Sequence, residues 1–325
     1  MQWIGCRPFP SRYTPASCSE LDCRTMQQVT VRVPGSTSNL GPGFDCLGVA
    51  LRIYNDVTVI RGGKSQLPPI ACEAARLFFE RTGCAPFSLS VSTRGNVPVS
   101  RGLGSSVTAR LGVLCALNAL TGARLDRLSI FELCARLEGH PDNAAPAVFG
   151  GFTVVQSSAS VSRALGKHGT RPAFQRFEVS LRLYFVLLIP ELEIRTSSAR
   201  RILPSKISRA GAIENCANAC AITAALASGN YVNLRGAFRD HLHQPYRAKL
   251  IPFLPSVIAA AEKAGALGAF LSGSGSTIAA VTLHSPKKIA AAMARAARTP
   301  AHTIITHADN GARAFSNHGS PIIDH

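Results

Sequence analysis

Apolar and polar residues alternate from position 28 to 33, with Val29, Val31 and Val33 on one face and Thr30 and Arg32 on the other, the period of a half-buried strand. The chain is then expected to turn through residues 34–45 and to resume strand character over 51–60. Residues 88–93 read as a further strand. After a glycine- and serine-rich segment the period changes: Val107, Leu111, Leu114 and Leu117 recur at spacings of four and three, which predicts a helix opening directly from that segment. A second helix is predicted over about 128–138, stopped by Gly139 and Pro141. Residues 150–155 begin a β-rich stretch. Ser, Gly, Lys and Arg then dominate 157–172, the apolar rhythm is lost, and a domain boundary is expected there. Beyond it come a buried strand over 181–189, a small-residue helix over 213–226 and a helix over 257–264. A strand, glycine turn and strand follow over 269–283. The last dozen residues read as a frayed tail.

Length changes this picture little: 325 residues exceed what one hydrophobic core usually serves, so two domains are expected, 26–165 and 166–315, with a tail at 316–325. With 46% hydrophobic and 16% charged residues the composition is that of a globular chain. No apolar run approaches the roughly 18 to 20 residues that a bilayer needs, so no membrane association is expected. The net charge of +17 raises nucleic acid as a partner, but the basic residues are scattered singly or in pairs such as Arg200-Arg201, and they are not interleaved with aromatics. A basic solvated surface is the expectation, with no nucleic acid. Ten cysteines spread over positions 6 to 220, without a C-x-x-C pair, read as reduced core residues of a cytoplasmic protein. Cys216 and Cys220 lack further ligands for zinc, and His241 and His243 read as polar residues at the surface, not as a metal site. Residues 1–25 lack periodicity and are expected to be a disordered leader or a mis-assigned start, because Met26 stands directly before the first strand.

Candidate chemistry concentrates in three glycine-rich segments. In the first, Pro98, Val99, Ser100, Arg101, Gly102, Leu103, Gly104, Ser105, Ser106, Val107 and Thr108 lead into a helix. Glycines let the backbone approach an anion, and the helix aims its free N–H groups at the same point. The spacing is neither a P-loop nor a dinucleotide fingerprint, and a plain glycine turn capping a helix is the competing reading. The second, Asn39 to Asp45, presents a carboxamide and a carboxylate around a rigid turn. The third, Ser272 to Ser276, can form a backbone nest for an anion. Three such loops in one chain favour a phosphate-handling site.

These motifs, in this order and separation, resemble those of the GHMP kinase superfamily, and VPGSTSNLGPGFDCLG at 33–48 is similar to the first motif of its homoserine kinase branch. The resemblance continues through EGHPDNAAPAVFGGF (138–152), TSSAR (196–200), QPYRAKLIP (244–252) and GAFLSGSGST (268–277), and so covers nearly everything after Met26. It implies an α+β fold of two domains, a ribosomal-protein-S5-like N-terminal one that binds ATP and a ferredoxin-like C-terminal one. It implies that the loop 98–108 wraps the ATP phosphates, that Ser106 and Glu138 hold Mg²⁺, and that the acceptor is L-homoserine, bound by Asn39, Asp45, His140, Thr196, Arg200, Arg247 and Gly273. The product would be O-phospho-L-homoserine, on the route to threonine, and a homodimer is a possible assembly. For catalysis it implies Asn143 as the group that orients the acceptor hydroxyl, Asp142 as either a base or a structural cap, and Arg101 as a stabiliser of the transferred charge. Gly35 and Ser38 stand where the superfamily usually has alanines, and Val107, Thr108 and Ala109 where it has an alanine run; the polar roles are unaffected.

Overall fold

Val29, Val31 and Val33 do share one buried face, and the strand they begin runs further than their alternation shows. The computed structural model describes residues 27–62, 67–123, 125–156 and 174–311; the proposed leader, Met26 and the tail at 316–325 lie outside them. Strand β1 spans Gln28–Ser38 and pairs antiparallel with β2, Leu47–Arg61. The expected turn at Pro34 is instead a register shift between Pro34 and Gly35, after which pairing resumes as far as Ser38. Proline lacks the N–H that a ladder uses, and such an irregularity is where a strand can accept it.

The long β2 is the centre of the first sheet. One side carries β1; the other carries β3 (Leu89–Gly95) along its far half and β4 (Phe152–Val155) along its near half, with β5 (Phe174–Phe177) beyond β4. Helices α1 (Pro69–Thr82), α2 (Ser105–Thr121), α3 (Arg127–Glu138) and α4 (Ala144–Phe149) bury a core of Val31, Val57, Phe78, Leu114, Leu117 and Phe131 against it. The ends of α3 follow from local chemistry. The Asp126 carboxylate accepts from the Ser129 N–H at 2.7 Å, and Gly139 closes the helix in the left-handed region.

The second sheet has the order β7-β8-β6-β9, all antiparallel: β6 (Tyr184–Pro190), β7 (Gly268–Leu271), β8 (Ile278–Thr282) and β9 (Ala301–Thr306). Between β6 and β7 lie α5 (Thr196–Arg201), α6 (Arg209–Ser228), α7 (Gln244–Arg247) and α8 (Leu254–Lys263); α9 (Pro286–Ala297) links β8 to β9. Along β6 the side chains alternate between two cores. Val186 and Leu188 pack with Val257, Ile289 and Met293 of α8 and α9. Phe185, Leu187 and Ile189 pack with Leu47, Val49, Leu51 and Phe152 of the first sheet. A strand buried on both faces reads as one continuous apolar run, which is why its sequence lacks alternation.

Two domains of α+β structure are therefore present, each on its own sheet, with one of the cores shared between them. The boundary expected over 157–172 falls outside the described residues, and β5, which lies past it, still pairs with β4 of the first sheet. No helix of the described residues is long and apolar enough to cross a membrane. Of the cysteines, Cys115 and Cys134 are buried as expected, whereas Cys216 and Cys220 are exposed on α6. Phe185→Ala, which opens a void in the shared core, is expected to cost about 3–5 kcal/mol. Urea unfolding followed by circular dichroism reads this as a lower midpoint, and an unchanged midpoint would show that the two sheets do not depend on this contact.

Candidate active site

Gly102 and Gly104 take positive φ angles of 74° and 73°, and both stand where a side chain has no room. A Cβ on Gly102 would lie 2.1 Å from the Ser272 carbonyl oxygen, and one on Gly104 would lie 2.5 Å from Ser36 Oγ. The chain can therefore run from β3 into α2 directly beneath the turn between β7 and β8. The first turn of α2 begins at Ser105 with no side-chain cap. Its N–H groups and the positive end of the helix face a cavity of about 130 Å³.

Every segment singled out by its sequence contributes to that cavity. Ser38, Asn39, Phe44 and Asp45 come from the β1–β2 connection, Ser100, Gly102, Gly104, Ser105 and Ser106 from the loop into α2, and Glu138, His140, Asp142 and Asn143 from the corner between α3 and α4. From the second domain come Ile194, Thr196 and Arg200, then Arg247, Gly273 and Ser274.

At one end, Ser106 Oγ donates to Glu138 Oε2 at 2.8 Å, and Arg110 Nη1 donates to the other carboxylate oxygen. In the middle, Asn143 is held from both sides: its Oδ1 accepts from Ser36 Oγ and its Nδ2 donates to Ser38 Oγ, each at 2.9 Å. Asp142, 2% exposed, uses Oδ1 to accept the Asn143 N–H at 3.0 Å and to meet His140 Nδ1 at 2.8 Å. Burial pushes the Asp142 pKa up, but the His140 hydrogen bond and charge, with Ser38 and Arg200, outweigh it and hold the carboxyl below its ordinary value of 3.8. His140 feels burial in the opposite sense, and the same partner raises it above 6.5.

At the other end, Arg200 grips Asp45 with both Nη atoms, at 2.6 and 3.0 Å. Arg247 is 2% exposed and donates from Nη1 to the Gly273 carbonyl at 2.8 Å and from Nε to the Ala199 carbonyl at 3.2 Å. Burial, with Arg200 next in weight, pulls the Arg247 pKa down to about 10 against the attraction of Asp45. Both guanidiniums stand over the Phe44 ring, 5.4 and 5.3 Å from its centre. One end thus offers hard oxygens beside a helix N-terminus, and the other a carboxylate and two guanidiniums around an aromatic ring.

Residues 69–151 match the family of GHMP kinases N terminal domain and residues 222–299 that of GHMP kinases C terminal. A homoserine kinase of Moorella thermoacetica is 38% identical over 82% of this chain and 91% of its own length, and one of Trichormus variabilis is 39% identical over 84% and 93%. The chain belongs to the GHMP kinase family. A crystal structure of homoserine kinase from Cytophaga hutchinsonii shares the fold of this GHMP kinase. Its TM-score is 0.77 at 24% identity, covering 88% of this chain and 96% of that one. The activity that follows at this level is that of a kinase acting on a small hydroxylated metabolite.

Not every residue of the expected phosphate loop faces the cavity of this GHMP kinase. Leu103 is buried in the shared core and Val107 in the first-domain core, while Thr108 Oγ1 donates to the Ser105 carbonyl and accepts from Asn55 Nδ2. Pro98 and Val99 are outside the lining, and Val99 is 70% exposed. Arg101, expected beside the transferred group, turns away: its Nε donates to the Pro190 carbonyl at 2.9 Å and its Nη1 lies 3.4 Å from Glu193. Asn39 does line the cavity, with its Oδ1 accepting the Asp45 N–H and its Nδ2 donating to the Gly273 carbonyl. His243, expected at the surface, is fully buried. Ser36 and Ser38, which fix Asn143, were missed as site residues, although the departure of Ser38 from the usual alanine was a visible signal.

The His140–Asp142 pair sets a pH dependence whose sign can be worked out. A raised His140 pKa contributes stability fully present below 6.5 and lost as pH rises through the folded value. A lowered Asp142 pKa contributes stability present above 3.8 and lost as pH falls through its folded value. The pair is therefore worth most between about pH 4 and 6.5. Proton NMR of the imidazole is expected to show His140 titrating above 6.5 in the wild type and below it in Asp142→Asn, where burial and Arg200 are opposed only by Asp45. An unmoved titration would refute the coupling.

Proposed function

We propose that this GHMP kinase transfers the γ-phosphoryl group of ATP to the side-chain hydroxyl of L-homoserine, giving O-phospho-L-homoserine and ADP, a step of threonine biosynthesis. The observation that carries the reading is the end of the cavity where Asp45, Arg200 and Arg247 surround Phe44. A carboxylate beside two guanidiniums suits an amino acid, whose ammonium Asp45 can pair and whose carboxylate an arginine fork can grip. A sugar or a mevalonate-like acid offers no ammonium to that carboxylate. The names of the curated relatives support the same acceptor.

The α2 N-terminus, with Gly102, Gly104 and Ser105, is the place for the triphosphate. Ser106 and Glu138 fit Mg²⁺, which favours hard oxygen ligands and usually takes one or two protein groups beside waters and phosphates. When bound, the ion neutralises charge that develops on the phosphates. Asn143, fixed by Ser36 and Ser38, orients the acceptor hydroxyl. The hydroxyl oxygen forms a bond to the γ-phosphorus while the bond from that phosphorus to the β,γ-bridging oxygen breaks, and ADP departs. Asp142, already hydrogen bonded twice and held below the usual carboxylate range, is a weak base, and its place is that of a cap for Asn143 and His140. A loose phosphoryl-transfer transition state needs positioning more than a strong base, and the hydroxyl proton can leave late, to a phosphate oxygen or solvent. The strand order β7-β8-β6-β9 supports reading the second domain as ferredoxin-like.

Purified protein is expected to release ADP from Mg²⁺ and ATP when L-homoserine is added, and not with galactose, mevalonate or L-threonine. Equal turnover across that panel would defeat the assignment. Glu138→Gln is expected to cut turnover about a hundredfold or more, the scale of several kcal/mol of lost charge stabilisation, while calorimetry shows weakened Mg²⁺–nucleotide binding and an intact fold. Full activity in that variant would remove Glu138 from the site.

A further inference from the structure

Behind Phe44, on the side away from the cavity, His243 lies between two elements that the acceptor end depends on. The imidazole is fully buried, its Nε2 lies 2.8 Å from the Gly41 carbonyl oxygen, and its Nδ1 lies 3.2 Å from Arg247 Nη1. A guanidinium can only donate, so Nδ1 must accept; a carbonyl can only accept, so the proton must sit on Nε2. Both ring nitrogens thus demand the same neutral tautomer, and Asp240 Oδ2, 3.4 Å from Nε2, favours it too. Burial, opposed by Asp240 and reinforced by Arg247, pulls the His243 pKa down to about 4, so the ring stays neutral around pH 7. The Phe44 ring stacks on the imidazole with centres 5.3 Å apart.

We propose that His243 is the positioning residue of the acceptor subsite: its Nδ1 sets the orientation of the Arg247 guanidinium, and the bond from its Nε2 to Gly41 fixes the tautomer in which Nδ1 can accept. The inference rests on the reading of Asp45 and Arg247 as acceptor-binding groups. Arg247 has two other anchors, the carbonyls of Ala199 and Gly273, and both belong to segments that also line the site or flank it. Ala199 fixes Nε, Gly273 and His243 share Nη1, and Nη2, in a side chain that lines the cavity, makes no hydrogen bond to any described residue. A histidine that only filled core volume would not need each nitrogen on a different ligand-facing segment. Asp240 holds the histidine's own backbone, accepting the N–H groups of Leu242, His243 and Gln244 at 2.8, 3.0 and 2.6 Å.

Three variants of the full chain separate positioning from packing. His243→Leu removes both bonds. In His243→Asn the amide oxygen can take the place of Nδ1 and accept from Arg247, and in His243→Gln the amide nitrogen can take the place of Nε2 and donate to Gly41. With the acceptor that the wild type phosphorylates, His243→Leu and His243→Gln are expected to raise the acceptor KM about tenfold, the scale of one hydrogen bond to a charged group. The ATP KM should move less than about twofold, and His243→Asn should recover most of the loss. In an Arg247→Ala background, His243→Leu should add no further change to the acceptor KM. Equal behaviour of the Asn and Gln variants, parallel rises in both KM values, or multiplying effects in the double variant would overturn the proposal. Should the Leu variant fail to fold, as melting curves would reveal, the Asn–Gln contrast still decides. If the wild type ignores L-homoserine but uses another carboxylate-bearing alcohol, the functional reading falls and the His243 test proceeds with that substrate. An acceptor without a carboxylate would overturn both.

Discussion

The turn between β7 and β8 and the loop into α2 are in backbone contact, and the geometry of the cleft follows from that contact. Ser272 Oγ donates to the Gly102 carbonyl at 2.6 Å, the Thr277 N–H to the Arg101 carbonyl at 3.1 Å, and the Gly273 N–H to the Ser38 carbonyl at 3.1 Å. Three segments distant in sequence are clasped together by groups that must be satisfied once buried. The clasp aims α2 at the cavity, and it brings the Gly273 carbonyl to where both Asn39 Nδ2 and Arg247 Nη1 donate to it. The α2 end of the cavity and the end that holds Asp45 and Arg247 thus share a single structural joint between the domains. Beneath it, Leu103 is buried with Leu40, Leu47 and Phe270, so the apolar packing of both domains holds the joint closed.

Charge in the cleft is arranged in tight local partnerships: Glu138 with Ser106 and Arg110, Asp142 with His140, Asp45 with Arg200. Desolvation and pairing compete at each, and Asp142 shows which wins. Its carboxyl is almost fully buried, and burial alone would raise its pKa, yet His140, Ser38 and Arg200 together hold it below the ordinary value. A carboxylate so paired is a poor proton acceptor, which is why the proposed reaction gives Asp142 the part of a cap. Removing one member of such a buried pair costs about 3–5 kcal/mol because the other is left uncompensated. The cost is that of leaving one charge without its partner, so these pairs fix the positions of the groups that line the site.

Much of this was legible from local pattern. The alternation at Val29, Val31 and Val33, the four-three spacing from Val107 to Leu117, and the Gly139 stop each encode a local geometry, and the two helices formed close to their expected bounds while the strand ran on to Ser38. The motifs named every segment that lines the cleft. What was not legible depends on partners far along the chain. Pro34 has the chemistry of a turn, but the pairing of β1 with β2 absorbs it as a register shift. His243 sits in a polar-looking His-Leu-His run, and nothing local reveals that Asp240, Gly41 and Arg247 enclose it. Arg101 adjoins the phosphate loop in sequence, yet its side-chain direction is decided by the Pro190 carbonyl and Glu193 of the second domain.

Backbone strain completes the account of how the site is held. Among the described residues six that are not glycine have positive φ, and four of them, Asn39, Leu40, Asp45 and Ser100, belong to the two loops that border the cleft. Each such conformation costs on the order of 1 kcal/mol or more and persists only where its surroundings enforce it. The enforcing contacts are visible: the Asn39 amide bridges the Asp45 N–H and the Gly273 carbonyl, the Leu40 side chain is sunk in the shared core, and the Ser100 carbonyl accepts the Ile194 N–H. Because all but the Asn39–Asp45 bond either cross between the domains or lean on the core they share, the strained loops are held by both domains together. The end of the cavity that holds Asp45 and Arg247 is thereby preorganised at the expense of local backbone preference, and that arrangement suits the proposed reaction, in which holding two substrates in line matters more than the basicity of any one group.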